Sequence, residues 1–241
     1  MKKSKESSWI SFTDLMTALM VIFMFIAISY IVEVKKEQDK VKVILEEYEN
    51  NKTDLYLTLK KEFEKDFKKW EIELNEDLSI QFTNPDILFA FGKKNLRRKF
   101  RDNLDEFLPR YFDILLSEEY KDKILEIRIE GHTDMSPAPS YDRDPYIGNV
   151  ILSQLRATEV LKYFKKSDYY EELEPDTKED LRFMLTANGL SYGRMLDSNK
   201  DLVELTQAPP NNDFSRRVEF KIITKTEEAV EKAIRQLKEK S

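Results

Sequence analysis

The sequence predicts an α+β protein with a single N-terminal transmembrane helix, a helical linker and a C-terminal α/β sandwich domain built on a mixed sheet. Three observations lead to this prediction. The 18 residues from Leu15 to Val32 contain no charged side chain. The stretch Lys35–Asp77 lacks Gly and Pro and spaces its apolar residues three or four apart, as an amphipathic helix does. From residue 78 onwards, short strands alternate with helices.

The predicted membrane helix covers residues 9–34 and follows a polar tail of residues 1–8. Its 18 uncharged residues extend roughly 27 Å at about 1.5 Å per residue, close to the hydrocarbon thickness of a bilayer. Trp9 provides an interfacial anchor. A cleaved signal peptide is the alternative, since three lysines precede the span, but the length of the apolar run and the charge of Asp14 argue against it. The short tail favours a cytoplasmic N-terminus with the remainder exported.

Residues 35–77 are predicted to form the helical linker. Its apolar stripe consists of Val41, Leu45, Tyr48, Leu55, Leu59, Phe63, Phe67, Trp70 and Leu74. Such a stripe fits a coiled coil if the chain forms a homodimer, and it equally fits a helix packed on its own domain. Asn50-Asn51 interrupts the stripe and marks a candidate break.

The predicted sandwich domain covers residues 78–225, and residues 226–241 form an amphipathic C-terminal helix. The expected elements are a strand at 78–82, a helix at 96–116 that Pro109 kinks or divides, a strand at 124–130, a helix at 152–164, and strands at 183–187 and 218–223. The order β-α-β-α-β-β predicts helices on one face of a mixed sheet.

Composition excludes several classes of function. The net charge of −6 argues against a nucleic-acid-binding role, and the basic run from Lys93 to Arg101 is interpreted as a solvated helix face. No nucleophile, base and orienting residue can be picked out, so an enzyme is not expected. A single histidine without cysteine is a poor basis for a metal site, so no metal and no cofactor are expected, and His132 is interpreted as a support for its loop.

Three separated blocks carry the most specific pattern in the chain. They are Ile129-Glu130-Gly131-His132-Thr133-Asp134, the stretch from Asn149 to Ala157 that includes Leu152-Ser153 and Arg156, and Ser215-Arg216-Arg217-Val218-Glu219-Phe220. A strand that ends in a Gly-containing loop would present Asp134, and a loop with Asn149 would precede the helix that carries Arg156. An acid and an arginine on neighbouring segments are suited to grip a zwitterion, since the carboxylate takes an ammonium and the guanidinium takes a carboxylate.

These blocks resemble the OmpA-like peptidoglycan-binding domain, over residues 78–225. The resemblance implies that Asp134 and Arg156 hold the amino-acid group of diaminopimelate in the cell-wall peptide, and that Thr133, Asn149 and Leu152 shape the pocket. Arg217, or its neighbour Arg216, would line the edge. The stretch from Met135 to Gly148 is longer than in the simplest members of that family, which implies a segment that lies over the pocket or contacts a partner.

Asp14 lies at the start of the apolar run, within Trp9-Ile10-Ser11-Phe12-Thr13-Asp14-Leu15-Met16-Thr17. A carboxylate inside a membrane is costly and is usually functional, although an acid at the interface is cheaper to keep. The segment resembles the membrane helix of MotB-type stator subunits. The resemblance implies that Asp14 is the ion carrier, that Thr13 and Thr17 line the ion path, and that the ion is H+ or, alternatively, Na+.

Both resemblances occur in one chain in the order typical of a stator B subunit of the bacterial inner membrane. The short tail and compact charged linker resemble the B subunits of the Zorya anti-phage defence system more than flagellar MotB. The implied partners are a pentameric ring of MotA-like multi-span A subunits, a second copy of the chain, and peptidoglycan. A passive peptidoglycan-binding membrane anchor, with Asp14 merely interfacial, remains the alternative from a different class.

Overall fold

The computed structural model describes residues 3–239, with side chains from 12 to 235. Residues 1 and 2 of the predicted tail, the side chain of Trp9 and the end of the C-terminal helix after residue 239 lie outside this part. The architecture is mixed α and β with one long apolar N-terminal helix, so the predicted fold class is confirmed. The chain divides into two compact units, of which one comprises Tyr48–Ala229 and the other comprises Met1–Glu47 with Val230–Ser241.

The helices of the described part differ widely in length. In chain order they are α1 (Lys3–Phe63), α2 (Phe67–Trp70), α3 (Pro85–Leu88), α4 (Arg98–Leu115), α5 (Pro145–Phe164), α6 (Asp168–Glu172), α7 (Pro175–Met184), α8 (Val203–Thr206), α9 (Asn212–Ser215) and α10 (Lys225–Glu239). A short 3-10 turn, Lys121–Lys123, precedes the central strand.

Helix α1 is uninterrupted, so the break considered at Asn50-Asn51 does not occur. Every side chain from 15 to 32 is exposed. Among the described residues, α1 is the one helix long and apolar enough to cross a membrane. A continuous apolar surface of this size is not stable in water, and lipid or partner helices are its natural surroundings.

The end of α1 packs on its own domain. Leu55, Leu59 and Phe63 are buried in the hydrophobic core of the unit Tyr48–Ala229, whereas Val43 and Leu45 are exposed. Of the two explanations for the apolar stripe, packing within the chain therefore holds for the part from Leu55 onwards.

The strands form one five-stranded mixed sheet. They are β1 (Ile72–Leu74), β2 (Ser79–Phe82), β3 (Ile124–Gly131), β4 (Leu185–Gly189) and β5 (Val218–Thr224), in the spatial order β1-β2-β5-β3-β4. All neighbours are antiparallel except β3 and β4, which are parallel and are connected through α5, α6 and α7. Because successive side chains of a strand point to opposite faces, the sheet has an apolar face and a polar face.

The apolar face carries the core. Phe107 of α4 lies with its ring centroid 5.2 Å from that of Phe220 on β5 and 5.3 Å from that of Phe82 on β2. Phe112 of α4 stacks on Phe164 of α5 with a centroid separation of 4.1 Å. All five rings are fully buried. Helices α4 and α5 therefore close one face of the sheet, as the order of elements predicts.

Helix α5 approaches the ends of β3 and β4 very closely. Gly131 and Gly189 are paired residues on these strands. A Cβ atom added to Gly131 would lie 2.2 Å from the carbonyl oxygen of Ser153, and one added to Gly189 would lie 2.3 Å from the backbone nitrogen of Gln154. The Gln154 side chain also bridges β4, since it donates to Ala187 O at 2.8 Å and accepts from Gly189 N at 2.9 Å. Only glycine permits this contact.

Two predicted boundaries are wrong: the end of the helical linker and the start of α5. The predicted helical linker extends to residue 77, but Ile72–Leu74 is an edge strand that pairs with β2. Pairing with a neighbouring strand decides the conformation there, and three residues are too short for periodicity to indicate it. The predicted start of α5 at residue 152 is also wrong, because the helix begins at Pro145. Asp144 caps it by accepting from Tyr146 N and Ile147 N, and proline is well suited to the first helical turn.

Two further differences are smaller. Pro109 lies inside α4, which remains one helix from Arg98 to Leu115. Strand β4 begins at Leu185, two residues later than predicted, because α7 ends only at Met184.

Gly131→Ala is expected to destabilise the protein by about 1–3 kcal/mol, since an overpacked contact against backbone atoms forces α5 away from the sheet. The measurement is urea unfolding of the purified chain in detergent. Gly193→Ala is the comparison variant and is expected to cost less, because an added Cβ there meets its nearest atom, Leu190 O, at 3.3 Å, which a shift of a few tenths of an ångström relieves. Equal stability of the Gly131 variant and the wild type would contradict the close contact.

Candidate functional site

A pocket forms where β3 ends and α5 lies against it. The residues that line it are Phe91, Gly92, Thr133, Asp134, Ser136, Pro137, Ala138, Asn149, Leu152, Arg156 and Arg216. Five of the six predicted wall-binding residues are therefore brought together, although they come from different segments. Thr133 N donates to Ser191 O at 2.9 Å, which fixes the start of the loop beyond β3.

Asp134 is the acidic group of the pocket and is only 3% exposed. Its Oδ2 accepts a hydrogen bond from Arg216 Nη1 at 2.6 Å, and its Oδ1 accepts from Ser136 N at 2.8 Å. Arg216 also pairs with Asp213. A charged partner and a backbone donor hold this carboxylate in one orientation.

Arg156 is the basic group on the opposite wall. Its guanidinium carbon lies 4.8 Å from the centroid of the Phe89 ring, and its Nε donates to Lys93 O at 3.1 Å. Burial lowers the pKa of Arg156 to about 10, so the group stays charged at neutral pH. Within the described residues its two terminal nitrogens donate no hydrogen bond, which leaves the planar fork available for a carboxylate.

Asn149 and Thr133 have different roles in the pocket. Asn149 is in the first turns of α5 rather than in a loop before it, which corrects its predicted position. Its Nδ2 donates to Ser136 O at 2.9 Å and to Pro145 O at 3.0 Å, so Asn149 positions the loop. The Thr133 hydroxyl is buried without a hydrogen-bond partner in the described chain, and it is free to bond a ligand.

Part of the long stretch from Met135 to Gly148 lies against the pocket, as one of the two predicted arrangements requires. Residues 136–138 line the pocket directly. The end of the stretch belongs to α5 and its cap, which shortens the loop. A Cβ on Gly148 would lie 2.8 Å from Ala138 O, so the loop packs tightly on the helix.

Arg217 is not among the residues that line this pocket, and Arg216 takes that place. Arg217 is buried on the polar face of the sheet, where its Nε lies 3.2 Å from Glu219 Oε2 and its Nη1 donates to Arg194 O at 3.1 Å. The physical reason is alternation: residues 217 and 219 share a face, and residue 216 points the other way. The choice of Arg217 for the pocket is therefore corrected to Arg216.

His132 points to the same polar face as Arg217 and is fully buried. Burial, together with the charges of Arg217 and Arg194, lowers the pKa of His132 well below its usual value, so the imidazole is neutral. The nearest carboxylates are those of Glu130 and Glu219, which is itself bonded to Gln81 Nε2 at 3.3 Å.

Phe91 at the mouth of the pocket was missed by sequence reasoning. Its side chain is 72% exposed, and it lines this pocket and the adjacent one that Pro85, Arg97 and Arg156 share. An aromatic ring next to Gly92 in a short loop gives no periodic signal. Its exposure alone distinguishes it, because rings of this size are usually buried.

The predicted ion-path residues lie together on α1. Thr13 and Thr17 are one helical turn apart, and the Thr17 hydroxyl donates to Thr13 O at 2.9 Å. Asp14 lies between them in sequence and is exposed on the helix surface. Residues three and four apart share one side of a helix, so Asp14 and Thr17 face the same direction.

Arg217→Gln is expected to lower the free energy of unfolding by about 3 kcal/mol, because it leaves buried carboxylates without their counter-charge. Arg216→Gln, whose side chain is partly exposed, is expected to cost about 1 kcal/mol. Chemical unfolding of both variants tests the assignment. A larger loss for Arg216→Gln than for Arg217→Gln would contradict it.

Comparisons with known proteins give one strong match. No family model matches the sequence. The chain is 35% identical over 239 residues to the Zorya protein ZorB of Escherichia coli, which covers 98% of this chain and 96% of that protein. It is similar to the cell wall anchor of the T6SS from Pseudomonas aeruginosa, with a TM-score of 0.44 and 22% identity over 69% of this chain and 97% of that one. It is also similar to the periplasmic domain of Helicobacter pylori MotB, with a TM-score of 0.42 and 15% identity over 66% of this chain and 92% of that one.

Proposed function

The chain belongs to the family of the Zorya protein ZorB, and on this premise we propose that it is the B subunit of a MotAB-like rotary membrane motor in anti-phage defence. The family membership confirms the resemblance to Zorya B subunits. In this proposal Asp14 carries ions across the inner membrane while the Asp134 pocket holds the cell wall. One observation carries the proposal: a single chain combines an acid at the edge of an exposed apolar helix with a buried acid–arginine pocket.

The ion-carrying step depends on the surroundings of Asp14. A charged side chain costs about 2.5–3.5 kcal/mol at the centre of a membrane helix, so intramembrane acids usually mark ion pathways. A carboxylate that is alternately open to water and enclosed by partner helices takes up a proton on one side and releases it on the other. Sodium is the alternative ion. Thr13 and Thr17, with small hydroxyl side chains beside Asp14, would line the path and allow close packing.

The proposed assembly contains two copies of this chain inside a ring of five MotA-like A subunits. The chain crosses the inner membrane once, with a cytoplasmic N-terminus and a periplasmic domain from about residue 78 to 225. Ion transfer at Asp14 would turn the ring, and binding to peptidoglycan would keep the B subunits from turning with it. The chain is then an anchor and an ion carrier rather than an enzyme, and the proposed ion transfer uses no cofactor.

Diaminopimelate in peptidoglycan fits the charges of the pocket. The free fork of Arg156 would bind its carboxylate through two parallel hydrogen bonds, and Asp134 would bind its ammonium group. Arg216 holds the Asp134 carboxylate in place before the ligand arrives. Thr133 offers a hydroxyl that has no partner in the described chain, and Leu152 supplies an apolar wall.

A passive wall anchor is the second candidate. It is favoured by the position of Asp14 directly before the long uncharged run that begins at Leu15, where headgroups and water are close and the cost of a charge is low. A flagellar-type stator is the third, and it is less consistent with the family of the chain. The passive anchor and the motor differ in whether Asp14 needs to titrate.

Asp14→Asn is expected to abolish phage protection in cells that carry the complete system, because asparagine keeps the size and polarity but cannot bind a proton. The measurement is the efficiency of plating, with the amount of chain in the membrane fraction determined in parallel. Asp39→Asn is the matched control on the exposed surface of the same helix. Full protection by a membrane-inserted Asp14→Asn chain would instead identify a passive anchor.

Asp134→Asn and Arg156→Gln are each expected to weaken co-sedimentation with purified peptidoglycan by about 10- to 100-fold. Charged hydrogen bonds contribute about 1.5–3 kcal/mol, and about 1.4 kcal/mol corresponds to a factor of ten. Asp102→Asn and Arg98→Gln are matched controls on the exposed side of α4. Unchanged retention of both pocket variants would show that the pocket has another ligand.

A further inference from the structure

The polar face of the sheet holds a second cluster of chemically active side chains, separate from the pocket. Glu130 on β3 is paired directly with Glu219 on β5. His132 follows Glu130 by two residues, so both side chains point to the same face. The pocket residues Thr133, Asp134 and Arg216 take no part in this cluster.

The three side chains converge on one point. One ligand atom from each of Glu130, His132 and Glu219 lies within 4.8 Å of the other two. His132 Nε2 is 3.5 Å from Glu219 Oε2 and 3.8 Å from Glu130 Oε2. Two ligand atoms bound to one Zn2+ at about 2.0–2.1 Å in tetrahedral geometry are roughly 3.4 Å apart. The observed separations are therefore too long for good hydrogen bonds and close to those of atoms that share a metal ion.

The position of the His132 imidazole is unfavourable as the described chain stands. His132 is 1% exposed, and neither ring nitrogen has a hydrogen-bond partner in the described chain. A buried polar atom without a partner is unfavourable by about 1–3 kcal/mol. Because Nε2 points between the two carboxylates, a cation there would satisfy the imidazole and both acids together.

The negative charges of the cluster also favour a bound cation. Glu130 and Glu219 are 6% and 5% exposed. Arg217 lies against Glu219, whereas within the described residues Glu130 forms an ion pair with no lysine or arginine. Lys221, Arg194 and Arg128 act on Glu130 only from beyond ion-pair distance. A divalent cation at the cluster would be a closer counter-charge for this carboxylate.

We propose that Glu130, His132 and Glu219 bind a Zn2+ ion, with water in the fourth position. One imidazole and two carboxylates form a ligand set that suits zinc better than calcium or magnesium, which prefer oxygen ligands alone. The ion links β3 to β5 just before each strand meets the pocket loops, so it stabilises the base on which Asp134 and Arg216 are held. This site does not depend on the proposed motor function.

The test is zinc binding by the full-length chain in detergent, purified with a histidine-free tag and stripped with a chelator. The chain has a single histidine and no cysteine, so background binding is low. One saturable site per chain is expected, together with a rise in Tm of several degrees that the chelator reverses. With Co2+ in place of Zn2+, visible absorption bands of a four-coordinate site are expected.

His132→Gln and Glu130→Gln are expected to weaken zinc binding at least tenfold, with their Tm values no longer responsive to zinc. Glu126→Gln, on the same strand but bonded to Arg128, is the matched control and is expected to bind zinc as the wild type does. Equal binding by all variants would place zinc elsewhere. A folded wild-type chain that shows neither zinc binding nor cobalt bands would overturn the proposal. The cobalt spectrum of the wild type tests the zinc-site proposal even if a variant does not fold.

Discussion

The close contact between α5 and the ends of β3 and β4 is the constraint on which the binding pocket depends. Gly131 and Gly189 remove the side chains that would otherwise separate the helix from the sheet, and Ser153 and Gln154 take up the space. The Ser153 hydroxyl accepts from Ser191 N at 3.0 Å, which ties the loop after β4 to the same helix. Arg156, one turn further along α5, is thereby placed across the pocket from Asp134. A helix displaced by a single methyl group would separate the two charges, since buried contacts of this kind have little room to relax.

The charged residues of this region are divided between two sites. Before β5, alternation separates Arg216 from its neighbour Arg217. Beyond β3, the strand ends at Gly131, and the chain turns away from the sheet between His132 and Asp134. Asp134 and Arg216 meet at the pocket, whereas His132 and Arg217 meet Glu130 and Glu219 on the polar face. The two sites share a backbone but no side chain, so the charge state of one affects the other mainly through the stability of the strands between them.

The sequence predicts most of this arrangement because its strongest signals are local. The order of strand, loop and helix predicts Asp134 and Arg156 on neighbouring segments, and the resemblance to the OmpA-like domain implies that Leu152 lies in the same pocket. Alternation counted back from Val218 would also have assigned Arg217 to the face of Glu219. The pairing of Glu130 with Glu219 could not be predicted from the sequence, because the register of β3 against β5 is set by the packing of the whole sheet. Phe91 was missed for a similar reason, since a lone ring in a loop has no pattern.

The anchor and the ion carrier make different demands on the chain. In the proposed motor, work is done only if one part is held, so the proposed ion transfer at Asp14 would be useful only if the pocket retained the cell wall under load. Retention under load depends on the rate of ligand release, and paired charged hydrogen bonds in a buried site slow that release. The pocket has the required features in Arg156 and Asp134, both almost fully enclosed. In the same proposal Asp14 would need the opposite setting, an exposed face of α1 on which a partner could alternately cover and uncover the carboxylate. The enclosure of Asp134 and the exposure of Asp14 would then be complementary requirements of the proposed motor.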